Sequence, residues 1–136
     1  MLVTVYITTY NRREFLERAI NSVLNQTHTN LELIVADDGS SDGSQQYLQE
    51  LQNKGVLTAV LNTTGTSKGA CYGRNKAINL AKGEFITGLD DDDYSLQCRE
   101  YFMSKDLELY SCAYMLLDRR KVNGSIVQGA LVISNY

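Results

Sequence analysis

Phe85-Ile86-Thr87-Gly88-Leu89-Asp90-Asp91-Asp92-Asp93 is the stretch whose reading decides the fold. Five mostly apolar residues, too few for a stable helix, run directly into four carboxylates. That pattern predicts a short buried strand, Phe85 to Leu89, opening into an acidic loop. Working back, Ala70 to Ala81 has helical composition, with Gly83 as its stop. Val56 to Leu61 reads as another strand, and Ser44 to Lys54 as a polar helix. Leu31 to Ala36 and Leu2 to Thr8 are two more strands with β-branched, apolar character. Between them, Phe15, Leu16, Ala19, Ile20, Val23 and Leu24 form an apolar stripe at helical period. Asn11 stands as its N-cap, with Glu14 three residues on as in a capping box. Strands and helices alternate, so the expected fold is α/β with a mainly parallel sheet covered by helices.

Beyond the acids the pattern changes. Leu96 to Leu107 suits a helix, and Leu109 to Asp118 and Ser125 to Ser134 suit two strands. Residues 119–124, Arg-Arg-Lys-Val-Asn-Gly, are expected to join them as a hairpin turn. Residues 1–94 therefore read as an α/β core, and 95–136 as a helix and hairpin continuing the same domain. The last part is expected to begin an acceptor region.

Composition narrows the function. The 136 residues suit one domain with a real core. The net charge of −3 and the lack of a basic stripe argue against nucleic acid as partner. Cys71, Cys98 and Cys112 are odd in number and widely spaced, without the pairing of a zinc site or a disulfide framework. They read as free thiols, and Cys71 as a structural one. No basic segment precedes an apolar run at the start, so no leader is expected. The expected location is the cytoplasm, peripheral at the inner membrane face if the acceptor is membrane-bound.

In an open α/β sheet, ligands sit beyond the carboxyl ends of the strands. Four loops reach that edge: Thr8 to Arg13, Asp37 to Gly43, Asn62 to Gly69 and Asp90 to Tyr94. Four consecutive carboxylates repel one another. Mg²⁺ or Mn²⁺ would relieve this and would bridge to a diphosphate; a solvated acidic turn, with Asp93 capping the next helix, is the structural alternative. Asp37 and Asp38 suit an Asx turn or a hydrogen bond to a base imide. Tyr10 can stack on a base or pack over a helix start, and Arg12 can pair with a diphosphate or stay solvated. Arg74, near the start of the third helix, is within reach of the acids. His28, the only histidine, falls at the opposite end of the sheet, so no Ser/His/Asp or Cys/His set can form here. The loop after the first strand has no glycine. That counts against a nucleotidyltransferase and against a dinucleotide oxidoreductase.

Taken in order, Val5-Tyr6-Ile7-Thr8-Thr9-Tyr10-Asn11-Arg12, Ser22 to Thr27, Glu32 to Asp42, Gly73 to Ile78 with Ala81 to Ile86, and Leu89 to Asp93 resemble family 2 glycosyltransferases. The resemblance covers residues 1–94. It implies the GT-A fold, a nucleoside-diphosphate sugar donor, most often UDP-linked, Mg²⁺ or Mn²⁺, and inversion at the anomeric carbon. By position it implies Thr9, Tyr10, Asn11 and Arg12 on the nucleotide, with Tyr10 near the base. Asp38 would bond the uracil, Arg74 would hold the nucleotide side, and Asp92 would lie near the ribose. The aspartate run stands for the family's DxD motif, with Asp90, Asp92 and Asp93 as candidate metal ligands. The family's catalytic base lies well beyond this motif, and Asp106, Glu108 and Asp118 match no such position, so no base is assigned. Ser95-Leu96-Gln97 stands where a proline is common. The chain is therefore expected to be a donor-binding part of a longer enzyme, with a saccharide or lipid-linked acceptor; a non-catalytic nucleotide-sugar-binding module is the alternative. An unfinished sheet edge near the C-terminus suggests a homo-oligomer.

Overall fold

The computed structural model describes residues 2–92, 119–122 and 125–127, the last two stretches as backbone. Its centre is β1 (Val3–Thr9), almost wholly buried along its length. Such a strand needs covering on both faces, and its neighbours supply it. It pairs in parallel with β2 (Leu31–Asp37) on one side and with β4 (Phe85–Asp90) on the other. β3 (Thr58–Leu61) pairs in parallel with β2. The backbone segments β5 (Arg119–Val122) and β6 (Ser125–Val127) extend the sheet antiparallel, giving the order β3-β2-β1-β4-β5-β6.

Period-two alternation sorts the core into two faces. Val5, Ile7, Leu33, Val35 and Leu89 meet Leu16, Ala19, Ile20 and Val23 of α1 (Arg13–Leu24) and Leu48 of α2 (Ser44–Asn53). Tyr6, Ile34 and Ile86 point the other way, against Ala77 and Ile78 of α3 (Ala70–Leu80). From β1 the chain winds outward through β2 to β3, then crosses back by α3 to place β4 on the far side of β1. The winding reverses between β1 and β4, which opens a crevice where their carboxyl ends part. Register puts Thr8 opposite Asp90 at that point. Gly88 belongs to the same packing. A Cβ there would come within 2.5 Å of the Tyr6 ring, so the strand next to the acids approaches β1 only because Gly88 has no side chain.

The alternating architecture is as expected, but several local readings change. Asn11 does not cap α1. Its φ of 51° is left-handed, and its side chain accepts from Ser41 N–H instead. The cap comes from another loop: Asp42 Oδ2 accepts from Arg13 N–H at 2.8 Å. Phe15 and Leu24, placed on the apolar stripe, are 46% and 47% exposed, so the buried stripe is four residues wide. β3 starts at Thr58 rather than Val56, because Val56 N–H closes onto Leu51 O at the end of α2. Arg119 to Val122, expected as turn, is strand β5, and its pairing of Val122 with Ser125 leaves two residues between the strands. The helix expected over 96–107 and the strand over 109–118 lie outside the described residues. Cys71 is exposed, which corrects its reading as a structural thiol.

Candidate functional site

A cleft of about 420 Å³ occupies the crevice between the ends of β1 and β4. Thr8, Thr9, Tyr10 and Arg12 line it from the first loop, Asp38 from the second, and Gly69, Ala70, Gly73 and Arg74 from the start of α3. Asp90, Asp91 and Asp92 close it. Gly73 forms part of its floor. A Cβ at that position would stand 3.2 Å from Ala36 Cβ and 3.5 Å from Thr8 Cγ2, tight against both strands.

The acids hold different posts. Asp91 is buried; its Oδ2 accepts from Thr9 Oγ1 at 2.8 Å and its Oδ1 from Arg12 Nη1 at 3.3 Å. Asp92 is exposed and accepts from the same Arg12 nitrogen at 2.8 Å. Asp90 is exposed too, and accepts from Arg74 Nη2 at 3.2 Å. The repulsion among these carboxylates is met here by two guanidinium groups of the protein itself. The bond to Asp92 and the charge of Asp91 in turn raise the pKa of Arg12 above its ordinary value. Asp93 lies outside the described residues.

The two aspartates after β2 divide their work. Asp37 is buried, and its Oδ2 accepts from Gly39 N–H, Ser40 N–H and Gln45 Nε2, which shapes the turn. Asp38 faces the loop 62–69. Its Oδ1 accepts from Asn62 Nδ2 at 3.1 Å and Lys68 N–H at 2.7 Å. Its Oδ2 accepts from Ser67 Oγ at 2.5 Å and Gly69 N–H at 2.8 Å. Burial works against the charge, but the N–H groups of Lys68 and Gly69, the Ser67 hydroxyl and the Asn62 amide outweigh it. They hold Asp38 down at about 2.

Of the residues singled out in the sequence, Thr9, Tyr10, Arg12, Asp38, Arg74, Asp90 and Asp92 meet in this one cleft. Tyr10 presents a half-exposed ring to it. Asn11 stands behind, bonding the second loop through its own N–H to Ser40 Oγ and through Oδ1 to Ser41. No residue of 62–69 is among those singled out in the sequence, although Asn62 and Ser67 fix Asp38. Polar residues in a loop at the ligand edge were the available signal.

Among the described residues, no three His, Cys, Asp or Glu side chains converge as a ready metal site. Yet Mg²⁺ and Mn²⁺ bound through a diphosphate need only one or two protein carboxylates, with phosphate and water completing the shell. Asp90 and Asp92, exposed oxygen donors on the cleft wall, fit that requirement.

A reversed-winding parallel sheet, with arginines and acids gathered at its switch point, defines an α/β domain built to hold a polar, charged ligand at its carboxyl edge. Its family follows from comparison. The model of glycosyl transferase family 2 matches residues 4–99, and the chain belongs to that family. It is 46% identical over 94 residues, 68% of this chain, to the putative colanic acid biosynthesis glycosyl transferase WcaA of Escherichia coli K12. It is 35% identical over 116 residues, 83% of this chain, to the putative teichuronic acid biosynthesis glycosyltransferase TuaG of Bacillus subtilis. The chain spans 33% and 44% of the lengths of these two relatives. Among solved structures, S. aureus TarS 1-349 in complex with UDP-GlcNAc superimposes at a TM-score of 0.68 with 31% identity, over 76% of this chain and 30% of that one. The mannosyltransferase PcManGT of Pyrobaculum calidifontis, in complex with GDP-Man and Mn²⁺, gives 0.67 with 25% identity, over 82% and 33%. These likenesses establish the expected GT-A fold.

Proposed function

We propose that this chain binds the donor in an inverting, metal-dependent transfer of a sugar from a UDP-sugar to a saccharide or lipid-linked acceptor. The observation that carries the reading is the convergence of Tyr10, Arg12, Asp38, Arg74, Asp90 and Asp92 on one cleft at the switch point. Tyr10 offers a face for the base, and Asp38 an acceptor for an imide N–H. Asp90 and Asp92 would hold Mg²⁺ or Mn²⁺, which when bound neutralises the diphosphate as leaving group. Arg12 and Arg74, each paired with cleft acids, supply positive charge at the cleft and would orient the phosphates. Buried Asp91, held by Thr9, keeps the Arg12 guanidinium at the cleft wall.

Support for the donor class comes from TarS, solved with UDP-GlcNAc, and support for a metal from PcManGT, solved with Mn²⁺. A lipid-linked acceptor is favoured by relatives such as the GalNAc(5)-diNAcBac-PP-undecaprenol beta-1,3-glucosyltransferase of Campylobacter jejuni. A cytoplasmic position, peripheral at the inner membrane face, would suit such an acceptor. No helix among the described residues is long and apolar enough to cross a membrane. None of the cleft acids is assigned as the base.

The test is a thermal melt with UDP and Mn²⁺. Ligand binding to the folded form alone should raise the midpoint, by about 2.7 kcal/mol of added stability at a hundredfold excess over Kd. Asp90→Ala with Asp92→Ala should remove the manganese-dependent part of that rise and leave a nucleotide-only part. An identical manganese effect in the double variant would remove these acids from the site, and no UDP effect in either protein would defeat the donor assignment.

A further inference from the structure

Asp38 lines both the cleft and a second cavity of about 230 Å³ that shares Ala36 and Gly73 with it. Asn62 and Lys68, the donors to Oδ1, line the second cavity, and Gly69, which donates to Oδ2, lines the cleft. A carboxylate has about four acceptor positions, two per oxygen. Asp38 already accepts four hydrogen bonds from the described residues, two on each oxygen. A base N–H can bond Oδ2 well only by taking the place of a donor already there.

The four donors differ in how easily they leave. Lys68 and Gly69 donate through the backbone, so displacing them would move the loop. The Asn62 amide is buried and also bonds Thr66 O at 2.8 Å. Ser67 donates to Oδ2 through an exposed hydroxyl that turns about a single bond and can hydrogen-bond water when released.

We infer that Ser67 is a specificity-determining stand-in for the donor's base: its hydroxyl occupies the Asp38 Oδ2 position that an imide N–H takes over on binding. This rests on the nucleotide reading proposed above. Uracil has an N–H at ring position 3, where cytosine has a lone pair. A carboxylate freed of the hydroxyl therefore gains a bond from uracil and meets repulsion from cytosine. Asn62, Lys68 and Gly69 keep the carboxylate aimed throughout the exchange, and Ser67 sets how much of that gain is spent on release.

The experiment is calorimetric titration of UDP and of CDP, each with Mn²⁺, into wild type, Ser67→Ala and Ser67→Thr. Ser67→Ala removes a bond that would otherwise be broken, so UDP binding should tighten by about three- to tenfold, while CDP, which meets the bared carboxylate, should bind no more tightly than to wild type. Ser67→Thr, which keeps the hydroxyl, should bind UDP like wild type. If Ser67→Ala leaves UDP affinity unchanged, weakens it, or tightens UDP and CDP alike, the hydroxyl is no stand-in and the inference fails while the donor site survives. If wild type and both variants all ignore UDP, the nucleotide reading itself fails.

Discussion

Among the described residues, Arg12 is the one side chain that pairs with two of the cleft's acids. One of its nitrogens reaches both Asp91 and Asp92, and without it a buried and an exposed carboxylate would face each other with less positive charge between them. Arg12 is half exposed but its partner Asp91 is buried, so Arg12→Ala leaves a buried carboxylate less well paired and should lower the urea midpoint. It should also act on ligand: UDP with Mn²⁺ should bind about tenfold more weakly, the worth of one charged hydrogen bond. Arg12→Lys should recover only part of that, since an ammonium lacks the planar fork. Calorimetry beside a urea titration checks both halves. At this scale the sequence was informative about residue type. An acidic run at a strand end, an arginine after the first strand and another in the third helix were legible as site chemistry. Who holds whom was not. The bond from Ser67 to Asp38 spans 29 positions and that from Thr9 to Asp91 spans 82, and no local pattern encodes either.

Helix α1 shows the same limit one level up. A polar residue before an amphipathic run with an acid three places on is the usual mark of a local cap, and Asn11 carries it. The chain instead turns left-handed at Asn11, and Asp42 of the second loop caps the helix from outside. Asp42 also caps α2, accepting from Ser44 N–H at 3.1 Å and Ser44 Oγ at 2.6 Å. Burial disfavours its charge, but these donors and Arg13 N–H prevail and lower its pKa. One carboxylate thus starts two helices. Asp42→Ala should cost about 1–2 kcal/mol at neutral pH, near the upper end for a helix cap, and Asp42→Asn should recover part of it; urea unfolding measures both. The strands were easier to read. β1, β2 and β4 are buried on both faces, so their apolar runs are nearly continuous. β3 is shorter and more exposed, and Val56, expected as its first residue, is claimed by the end of α2. The misplaced hairpin has a comparable cause: Arg119 and Arg120 look like turn residues by composition, yet they pair with Ile86 and Phe85.

For the molecule as a whole, the alternation of elements was enough to foresee a parallel sheet, and the strand-order reversal that opens the cleft follows from how α3 crosses back. The acid response is also a property of the whole. Asp38 and Asp42 both have pKa values below the ordinary carboxylate value of 3.8. A group whose pKa is lower folded than unfolded contributes stability above the unfolded value and loses it as pH falls toward the folded one. The stability that these two contribute should therefore be constant from neutral pH down to about 4 and drain away toward about 2, the value at which Asp38 titrates in the folded chain. Asp38→Asn should be less stable than wild type at pH 7, and the gap should narrow at pH 3. Urea midpoints across that range decide it, and a gap of constant size would mean that the charge of Asp38 contributes nothing.

Hydrogen bonds tie the loop after β1 to the loop after β2, among them Asn11 N–H to Ser40 Oγ, Ser41 N–H to Asn11 Oδ1, and Arg13 N–H to Asp42 Oδ2. For protein engineering, the pair is a single cassette. Grafting Tyr10 and Arg12 alone into a related scaffold would leave them without the anchor that sets their pose, whereas a chimera exchanging 9–13 together with 37–44 would carry its own bracing. Sequence drift at Ser40 or Asp42, two positions absent from the cleft wall, would likewise be felt at the ring and guanidinium that face the cleft.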